Sequence, residues 1–128
     1  MSSAPQNEVI LIALKRVDAV PDKPSDLLLG IADATGGTGI AGPFVTVKVS
    51  YSGGEVEHDF FACWDGSLLK SFPPGVPIRL LHDNKGDAAK GIMDRTLQIN
   101  LHEAVGSGAT YVVIEAEGHE AVTATVDL

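Results

Sequence analysis

In residues 44–51, FVTVKVSY, apolar and polar side chains alternate strictly from Val45 onwards. The three valines and Tyr51 fall on one side of this run, and Thr, Lys and Ser fall on the other. Successive side chains of a β-strand point to opposite faces, so a two-residue period predicts a strand with one buried face. A second alternating run, EVEHDFFACW at 55–64, follows directly after Ser-Gly-Gly. Two such runs separated by a glycine turn favour a β-hairpin.

The same pattern recurs along most of the chain. Further alternating or continuous apolar runs, each a predicted strand, occupy residues 8–17, 26–32, 76–81, 96–101, 111–117 and 122–128. Many short strands separated by turn residues, with helical periodicity nearly absent, are typical of an all-β sandwich or barrel. We therefore predict a single antiparallel β-sandwich or jelly-roll-like domain of about eight strands. It spans residues 1–128, with residues 1–7 as an N-terminal arm.

The charge balance excludes one class of partner. Nine basic residues face seventeen acidic ones in the 128-residue chain, a formal net charge of −8. Nucleic-acid binding draws on clustered Lys and Arg to neutralise phosphates, and the basic residues here are few and scattered. The start of the chain, MSSAPQNE, lacks the basic segment and apolar core of a signal peptide. We expect a soluble protein made without a signal peptide, either cytoplasmic or associated with a particle.

A glycine motif at residues 37–42, GTGIAG, matches G-x-G-x-x-G by letter. A dinucleotide site needs those glycines to open a helix, whose N-terminal N–H groups meet the pyrophosphate. Pro43 and an alternating strand follow instead. The motif is therefore interpreted as a loop between strands.

Catalytic residues are not indicated by the sequence. Each of the four histidines precedes an acidic residue: His58, His82, His102 and His119. Neighbours on a strand point to opposite faces, so these dipeptides are not base–orienter pairs. His58 shares a face with Phe60, which favours a hydrogen-bonded core histidine over a catalyst. Cys63 is the one cysteine, and we interpret it as a small apolar filler.

Residues 82–94, HDNKGDAAKGIMD, carry three aspartates between two apolar runs. Carboxylate oxygens are the ligands that calcium prefers in proteins, typically six to eight of them. A solvated turn rich in Asp and Asn is the alternative interpretation of this loop.

The surrounding sequence resembles C2 domains. The likeness lies in IRLLHDNKGDAAKGIMDRTLQINL at 78–101, in LLLGIADATGGTGIAGPFVTVKV at 27–49, and in Trp64-Asp65. C2 domains are eight-stranded β-sandwiches whose loops at one end bind calcium and then anionic lipid. The resemblance implies calcium ligands at Asp33, Asp83, Asp87 and, as a further candidate, Asp94.

The function predicted from these observations is a non-enzymatic β-sandwich binding or assembly module. We expect a subunit of a multi-copy assembly, such as a virion, appendage or surface structure, that contacts itself or another protein and requires no cofactor. One alternative is a calcium-dependent C2-like module that binds a membrane or a protein. Another is a carbohydrate-binding sandwich, which would need Trp64, Tyr51 or Tyr111 exposed as a platform for the sugar. Membrane binding is expected only with calcium.

Overall fold

The structure is a computed structural model that describes residues 9–21 and 25–128. The predicted N-terminal arm, residues 1–7, lies outside the described residues. The strands are β1 (Val9–Arg16), β2 (Gly30–Gly39), β3 (Gly42–Gly53), β4 (Asp59–Trp64), β5 (Gly75–Asp83), β6 (Gly91–Asn100), β7 (Tyr111–Ala116) and β8 (Val122–Thr125). One 3-10 turn at His102–Ala104 is the only helical element in the described part of the chain.

The eight strands form one sheet in the order β2-β3-β6-β1-β4-β5-β7-β8. The terminal strands β2 and β8 come into contact and nearly close the sheet into a barrel. Gly36 of β2 lies so close to β8 that an added Cβ would be 2.1 Å from the carbonyl oxygen of Thr125. The all-β prediction is confirmed. The prediction of a two-sheet sandwich or jelly roll is corrected, because the sheet curls until its edges meet.

The barrel also departs from the predicted antiparallel arrangement. Strand β1 pairs in parallel with both β6 and β4, and β5 pairs in parallel with β7. Residues 9–13 of β1 pair with β6, whereas residues 14–16 pair with β4. Strand β1 thus passes from one half of the barrel to the other and joins them.

The alternation identified most inward-facing residues correctly. In β3, Val45, Val47, Val49 and Tyr51 are all buried, as the two-residue period predicts. The inward residues of the other strands join them in one core: Phe60, Ala62, Trp64, Val76, Ile78, Leu80, Leu97, Ile99 and Leu101. Burial of each large aliphatic side chain stabilises the barrel by roughly 1.5–3 kcal/mol.

The predicted hairpin between residues 44–51 and 55–64 is wrong. Strand β3 pairs with β2 and β6, and β4 pairs with β1 and β5. Ten residue pairs join β3 to β6, from Phe44 opposite Asn100 to Gly53 opposite Gly91. With both edges of β3 occupied, residues 54–58 carry the chain across the barrel to begin β4. Val56, which the alternation of residues 55–64 places on the same inward face as His58 and Phe60, lies on this crossover and is 48% exposed.

The glycine motif is likewise part of a hairpin and not a loop. Gly37 and Gly39 lie in β2, and Gly42 begins β3. Strand β2 starts within the run predicted at 26–32 but continues to Gly39, past a β-bulge between Ala32 and Thr35. No helix follows the motif, so the structural context of a dinucleotide site is absent from these described residues.

Candidate functional site

A chain of three buried ionisable side chains lies at one end of the barrel. Nε2 of His58 is 2.8 Å from Oδ2 of Asp87, and Nδ1 of His58 is 2.7 Å from Nε2 of His82. Nδ1 of His82 donates to the backbone carbonyl of Asp26 over 3.0 Å. The side chains of His58 and Asp87 are completely inaccessible to solvent. We refer to His58, His82 and Asp87 as the His-His-Asp cluster.

Strand geometry brings the two histidines inside. His82 follows Val76, Ile78 and Leu80 at two-residue spacing along β5, so it points inward with them. His58 comes just before β4, two residues from buried Phe60. Its ring stacks on Tyr51 with the centroids 4.1 Å apart.

Asp87 reaches the cluster from the loop between β5 and β6. Its carboxylate accepts hydrogen bonds from the backbone N–H groups of Gly54 at 2.9 Å, Glu55 at 3.2 Å and Ala89 at 3.0 Å. The carboxylate therefore joins the crossover from β3 to the loop from β5. These N–H groups lie outside the strand ladders, and one side chain supplies the acceptor for all three.

A count of hydrogens defines the charge of the cluster. Its three contacts, from Asp87 to His58, from His58 to His82 and from His82 to the Asp26 carbonyl, each need one hydrogen. Two neutral imidazoles supply only two. With Asp87 ionised, the third hydrogen lies on an imidazole and makes the cluster a buried ion pair. This assignment follows from the hydrogen-bond partners of the rings.

The surroundings of the cluster shift the pKa of two of its groups. Burial raises the pKa of the Asp87 carboxyl, but hydrogen bonds from His58 and from the backbone N–H groups outweigh it, so the pKa lies well below its ordinary value of 3.8. Desolvation lowers the pKa of His82 below its ordinary 6.5. Both shifts favour an ionised Asp87 carboxylate and a His82 ring without a positive charge.

The ring nitrogens of the cluster all bond within the protein. Every described buried side-chain nitrogen and oxygen has a hydrogen-bond partner within the protein. A catalytic histidine needs a ring nitrogen directed at a substrate. Here the ring nitrogens of His58 contact His82 and Asp87, and those of His82 contact His58 and the Asp26 carbonyl. The cluster connects the β3–β4 crossover to β5 and to the β5–β6 loop through hydrogen bonds inside the protein. It agrees with the interpretation of His58 as a hydrogen-bonded core residue.

The four predicted calcium ligands lie in different environments. Asp87 is buried in the cluster, and Asp83 accepts the N–H of Lys85 at the exposed start of the same loop. Asp33, on β2, lies 3.7 Å from Nζ of Lys48, and Asp94 belongs to β6. Among residues 9–21 and 25–128, no group of three or more His, Cys, Asp or Glu side chains could hold a metal ion. The loop at 82–90 is a set of hydrogen-bonded turns at Asp83, Asn84 and Asp87.

The aromatic residues proposed for sugar binding are mostly enclosed. Trp64 is 4% exposed and donates its indole N–H to the carbonyl of Ser67, and Tyr51 is buried beneath His58. Tyr111 is partly exposed and its hydroxyl contacts Ser71. Cys63 is buried, as expected of an apolar filler. Trp64 and Tyr51 therefore do not form a platform at the surface.

A different surface carries unburied apolar side chains. It consists of the outward residues of β1, β4 and β5, which we call the outer face. Leu11 is 74% exposed and Phe61 is 50% exposed. The outward side chains of β4 and its neighbours are arranged in a basic row, an apolar row and an acidic row: Lys15, Cys63 and Arg79; Phe61 and Leu81; Asp59 and Asp83.

A groove of about 460 Å³ lies beside the apolar row, lined mainly by apolar side chains, among them Ile12, Ala13, Phe61 and Leu81. It lies where β1 turns from β6 towards β4, because only three residue pairs join β1 to β4. The partnership of His58 with His82 and this groove were not predicted. For the contact between His58 and His82, one sequence signal existed: His82 continues the two-residue spacing of the inward residues of β5.

Comparison with known proteins reveals the fold alone. No family model and no curated protein matches the chain. A protein described as toxin related from Parabacteroides distasonis is similar over 91% of this chain, with a TM-score of 0.62 and 12% identity. A protein of unknown function, DUF1344, from Bacteroides vulgatus is similar over 95% of this chain, with a TM-score of 0.57 and 10% identity. A NigD-like immunity protein from Bacteroides caccae is similar over 91% of this chain, with a TM-score of 0.54 and 16% identity.

The chain covers only 61%, 57% and 59% of these three structures, respectively. In the residues that the structure describes, no helix is long and apolar enough to cross a membrane.

Proposed function

We propose that this chain is a non-enzymatic binding module that works as a subunit of a multi-copy assembly and makes protein–protein contacts. The observation that supports the proposal best is the apolar row and groove of the outer face, where Phe61 is 50% exposed. Leu11, on β1 of the same face, is 74% exposed. Contiguous exposed apolar surface on a folded domain marks sites of association. A particle-associated subunit, such as one of a virion, appendage or surface structure, fits this role.

The polar interior supports a non-enzymatic role. The ionisable groups that would be expected at a catalytic centre, His58, His82 and Asp87, are bonded to one another and have buried side chains. Cys63 is buried, and burial raises the pKa of its thiol despite nearby Lys15, which disfavours the reactive thiolate.

The two alternatives have less support. A C2-like module requires its aspartates at one end of the fold, and Asp33 and Asp87 are engaged with Lys48 and His58 respectively. A carbohydrate-binding module requires exposed aromatic rings, and Trp64 is 4% exposed. Binding of a protein through the outer face requires no rearrangement of these groups.

Size-exclusion chromatography with light scattering tests the proposal. We expect a mass that is a multiple of the 13.4 kDa chain and that rises with protein concentration. A mass of one chain at every concentration up to roughly 0.1 mM, where even weak association is visible, would contradict self-assembly.

A further inference from the structure

The contact between His58 and His82 can hold one hydrogen and no more. Nδ1 of His58 is 2.7 Å from Nε2 of His82, so one of these nitrogens donates and the other accepts. The other nitrogen of each ring is directed at an oxygen that accepts a hydrogen, Oδ2 of Asp87 for His58 and the carbonyl of Asp26 for His82. Three hydrogens therefore complete the three contacts.

A fourth hydrogen has no acceptor in the His-His-Asp cluster. The one ring nitrogen still able to take a proton is the acceptor of the contact between His58 and His82. Protonating it would set two N–H groups against each other at 2.7 Å and place a positive charge on both rings. Because like charges this close repel each other, a second proton on the histidine pair separates the two rings.

His82 is the fixed member of the pair. Its ring stacks on buried Phe60 with the centroids 5.0 Å apart. Its backbone N–H donates to Oγ of Ser25 at 2.7 Å, and its carbonyl oxygen accepts the N–H of Asp26 at 2.9 Å. The ring of His82 could leave the contact only by disturbing the aromatic packing of the core, so His58 is the ring that moves.

The crossover at residues 54–58, which carries His58, has few other attachments. In the described part of the chain, no backbone–backbone hydrogen bond reaches these residues. The carboxylate of Asp87 accepts the N–H groups of Gly54 and Glu55, and His58 is the one buried residue of the crossover. When His58 leaves its contact with His82, the crossover is therefore free to move outward with it.

The surroundings of His82 favour this opening in acid. Desolvation lowers the pKa of His82 below its ordinary 6.5, and the charge of His58 lowers it further, although the hydrogen bond to Asp26 and the charges of Asp26 and Asp83 raise it. Departure of His58 lets water reach the ring and relieves the desolvation. The open form therefore binds a proton more readily than the closed form and gains population as the pH falls through 6.5.

The other charged groups near the pair come from β3, β4, β6 and the loops. Tyr51 of β3 stacks beneath the crossover histidine, and burial raises the pKa of its hydroxyl. Arg95 of β6 is near Tyr51 and lies 3.9 Å from Glu57 of the crossover. Lys85 lies 3.0 Å from Asp59 at the start of β4. Histidine is the side chain that changes charge between pH 7 and pH 5, so the switch belongs to the pair.

We propose that the histidine pair is an acid-sensitive switch: on acidification a second proton separates His58 from His82, and the crossover at 54–58 moves away from Asp87 while the barrel stays folded. The ladder between β4 and β5, from Phe60 opposite His82 onwards, keeps the two strands together. The opening uncovers Tyr51, over which the ring of His58 lies in the closed form. The switch does not depend on whether the chain assembles.

Amide hydrogen exchange of the full chain, followed residue by residue by NMR at pH 7 and pH 5, tests the proposal. The probes are the N–H groups of Gly54 and Glu55, which donate to Asp87. Their protection factors, which correct for the intrinsic pH dependence of exchange, are expected to fall about tenfold, because uptake of one proton changes an opening equilibrium by up to about tenfold per pH unit. Protection of the β3 amides is expected to stay constant, and the loss to reverse at pH 7.

His82→Gln is the variant that should abolish the switch. A glutamine amide can donate to a neutral His58 ring and accept from a protonated one, so the contact persists in acid. We expect Gly54 and Glu55 of this variant to keep their protection at pH 5. His102→Gln, the matched control, replaces an exposed histidine and is expected to lose protection as the wild type does. Circular dichroism verifies that both variants fold.

Titration of the histidine ring signals in the wild type is a second test that needs no variant. The C–H signals of His58 and His82 are expected to change over the same pH interval in which Gly54 loses protection. If His82→Gln does not fold, this titration decides: ring signals that change at a different pH from the opening contradict the role of the pair.

The remaining outcomes separate the switch from simpler behaviour. Equal protection of Gly54 and Glu55 at pH 7 and pH 5 overturns the proposal. Loss of protection in β3 at the same pH overturns it too, because the whole barrel would then be unfolding. A folded His82→Gln variant that loses protection in acid as the wild type does shows that the histidine pair is not the cause.

Discussion

At the scale of single residues, Asp87 has a structural role that its position in an Asp-rich loop does not reveal. Its carboxylate accepts hydrogen bonds from the backbone N–H of Gly54 in the β3–β4 crossover and from that of Ala89 in the β5–β6 loop, and it contacts His58. Gly53 makes room for this arrangement, since an added Cβ would lie 2.6 Å from Oδ2 of Asp87. A loop aspartate is therefore part of the protein interior.

The cluster predicts acid sensitivity. Because desolvation lowers the pKa of His82 in the folded protein, the unfolded chain binds more protons as the pH falls through 6.5, and the free energy of unfolding decreases. Despite its burial, Asp87 has a lowered pKa, since hydrogen bonds from His58 and the backbone predominate. The stability that Asp87 contributes is fully present above pH 3.8, the pKa of the unfolded chain, and is lost as the pH falls towards the lower pKa of the folded protein. Urea unfolding at a series of pH values measures both effects.

His82→Gln is the informative variant for this prediction, and His102→Gln its control, because His102 is exposed. The decrease between pH 7 and pH 5 should be smaller in His82→Gln than in wild type and unchanged in His102→Gln. A wild-type free energy of unfolding that stays level over this interval contradicts the prediction.

At the scale of strands, the barrel depends on two elements that join its halves. Strand β1 pairs first with β6 and then with β4, and β2 closes on β8. The closure demands a strand that can approach another backbone, which explains the glycine at position 36. Glycines that resemble a phosphate-binding motif thus lie in the strand that closes the sheet.

Gly36→Ala is expected to destabilise the protein by about 1–3 kcal/mol, the usual cost of forcing an atom into a packed position. The new Cβ would overlap the Thr125 carbonyl, which is backbone and cannot move aside alone. Gly39→Ala, on the same strand, is the control, because its Cβ would be 3.5 Å from the nearest atom, in Phe44. Equal unfolding midpoints in urea for the two variants would show that β2 and β8 do not approach in this way.

At the scale of the whole molecule, closure of the barrel decides which side chains can act together. Asp33 and Asp94 belong to β2 and β6, whereas Asp83 ends β5 and Asp87 lies in the loop that follows it. The sheet order separates β6 from β5 by β1 and β4. The aspartates therefore do not gather as a calcium site would require.

Calcium is accordingly expected to leave the melting temperature unchanged. A ligand at a hundredfold its dissociation constant would add roughly 2.7 kcal/mol, which corresponds to several degrees. Scanning calorimetry in millimolar calcium, compared with EDTA and with magnesium, checks this. A rise specific to calcium and abolished by Asp83→Asn would restore the C2-like hypothesis.

What the sequence determined by itself is the all-β class and, for the alternating strands, the face that is buried. Val45, Val47 and Val49 could be assigned to the core because a pleated strand alternates its side chains whatever strand lies beside it. The same rule, carried one residue past the predicted strand at 76–81, places His82 inward with Val76, Ile78 and Leu80. The alternation rule did not identify the glycine-rich part of β2 as a strand, because glycine has no side chain to alternate.

Only the tertiary structure decided which strands are neighbours, because pairing depends on where the chain crosses and the sheet closes. The hairpin expected after Tyr51 does not form, since β3 has β2 and β6 on its two edges. The same closure places His58 against His82, 24 residues away in the chain, and brings Lys15 into one row with Arg79. A local side-chain period carries no information about contacts between residues so far apart, so the cluster and the outer face appear only in the folded barrel.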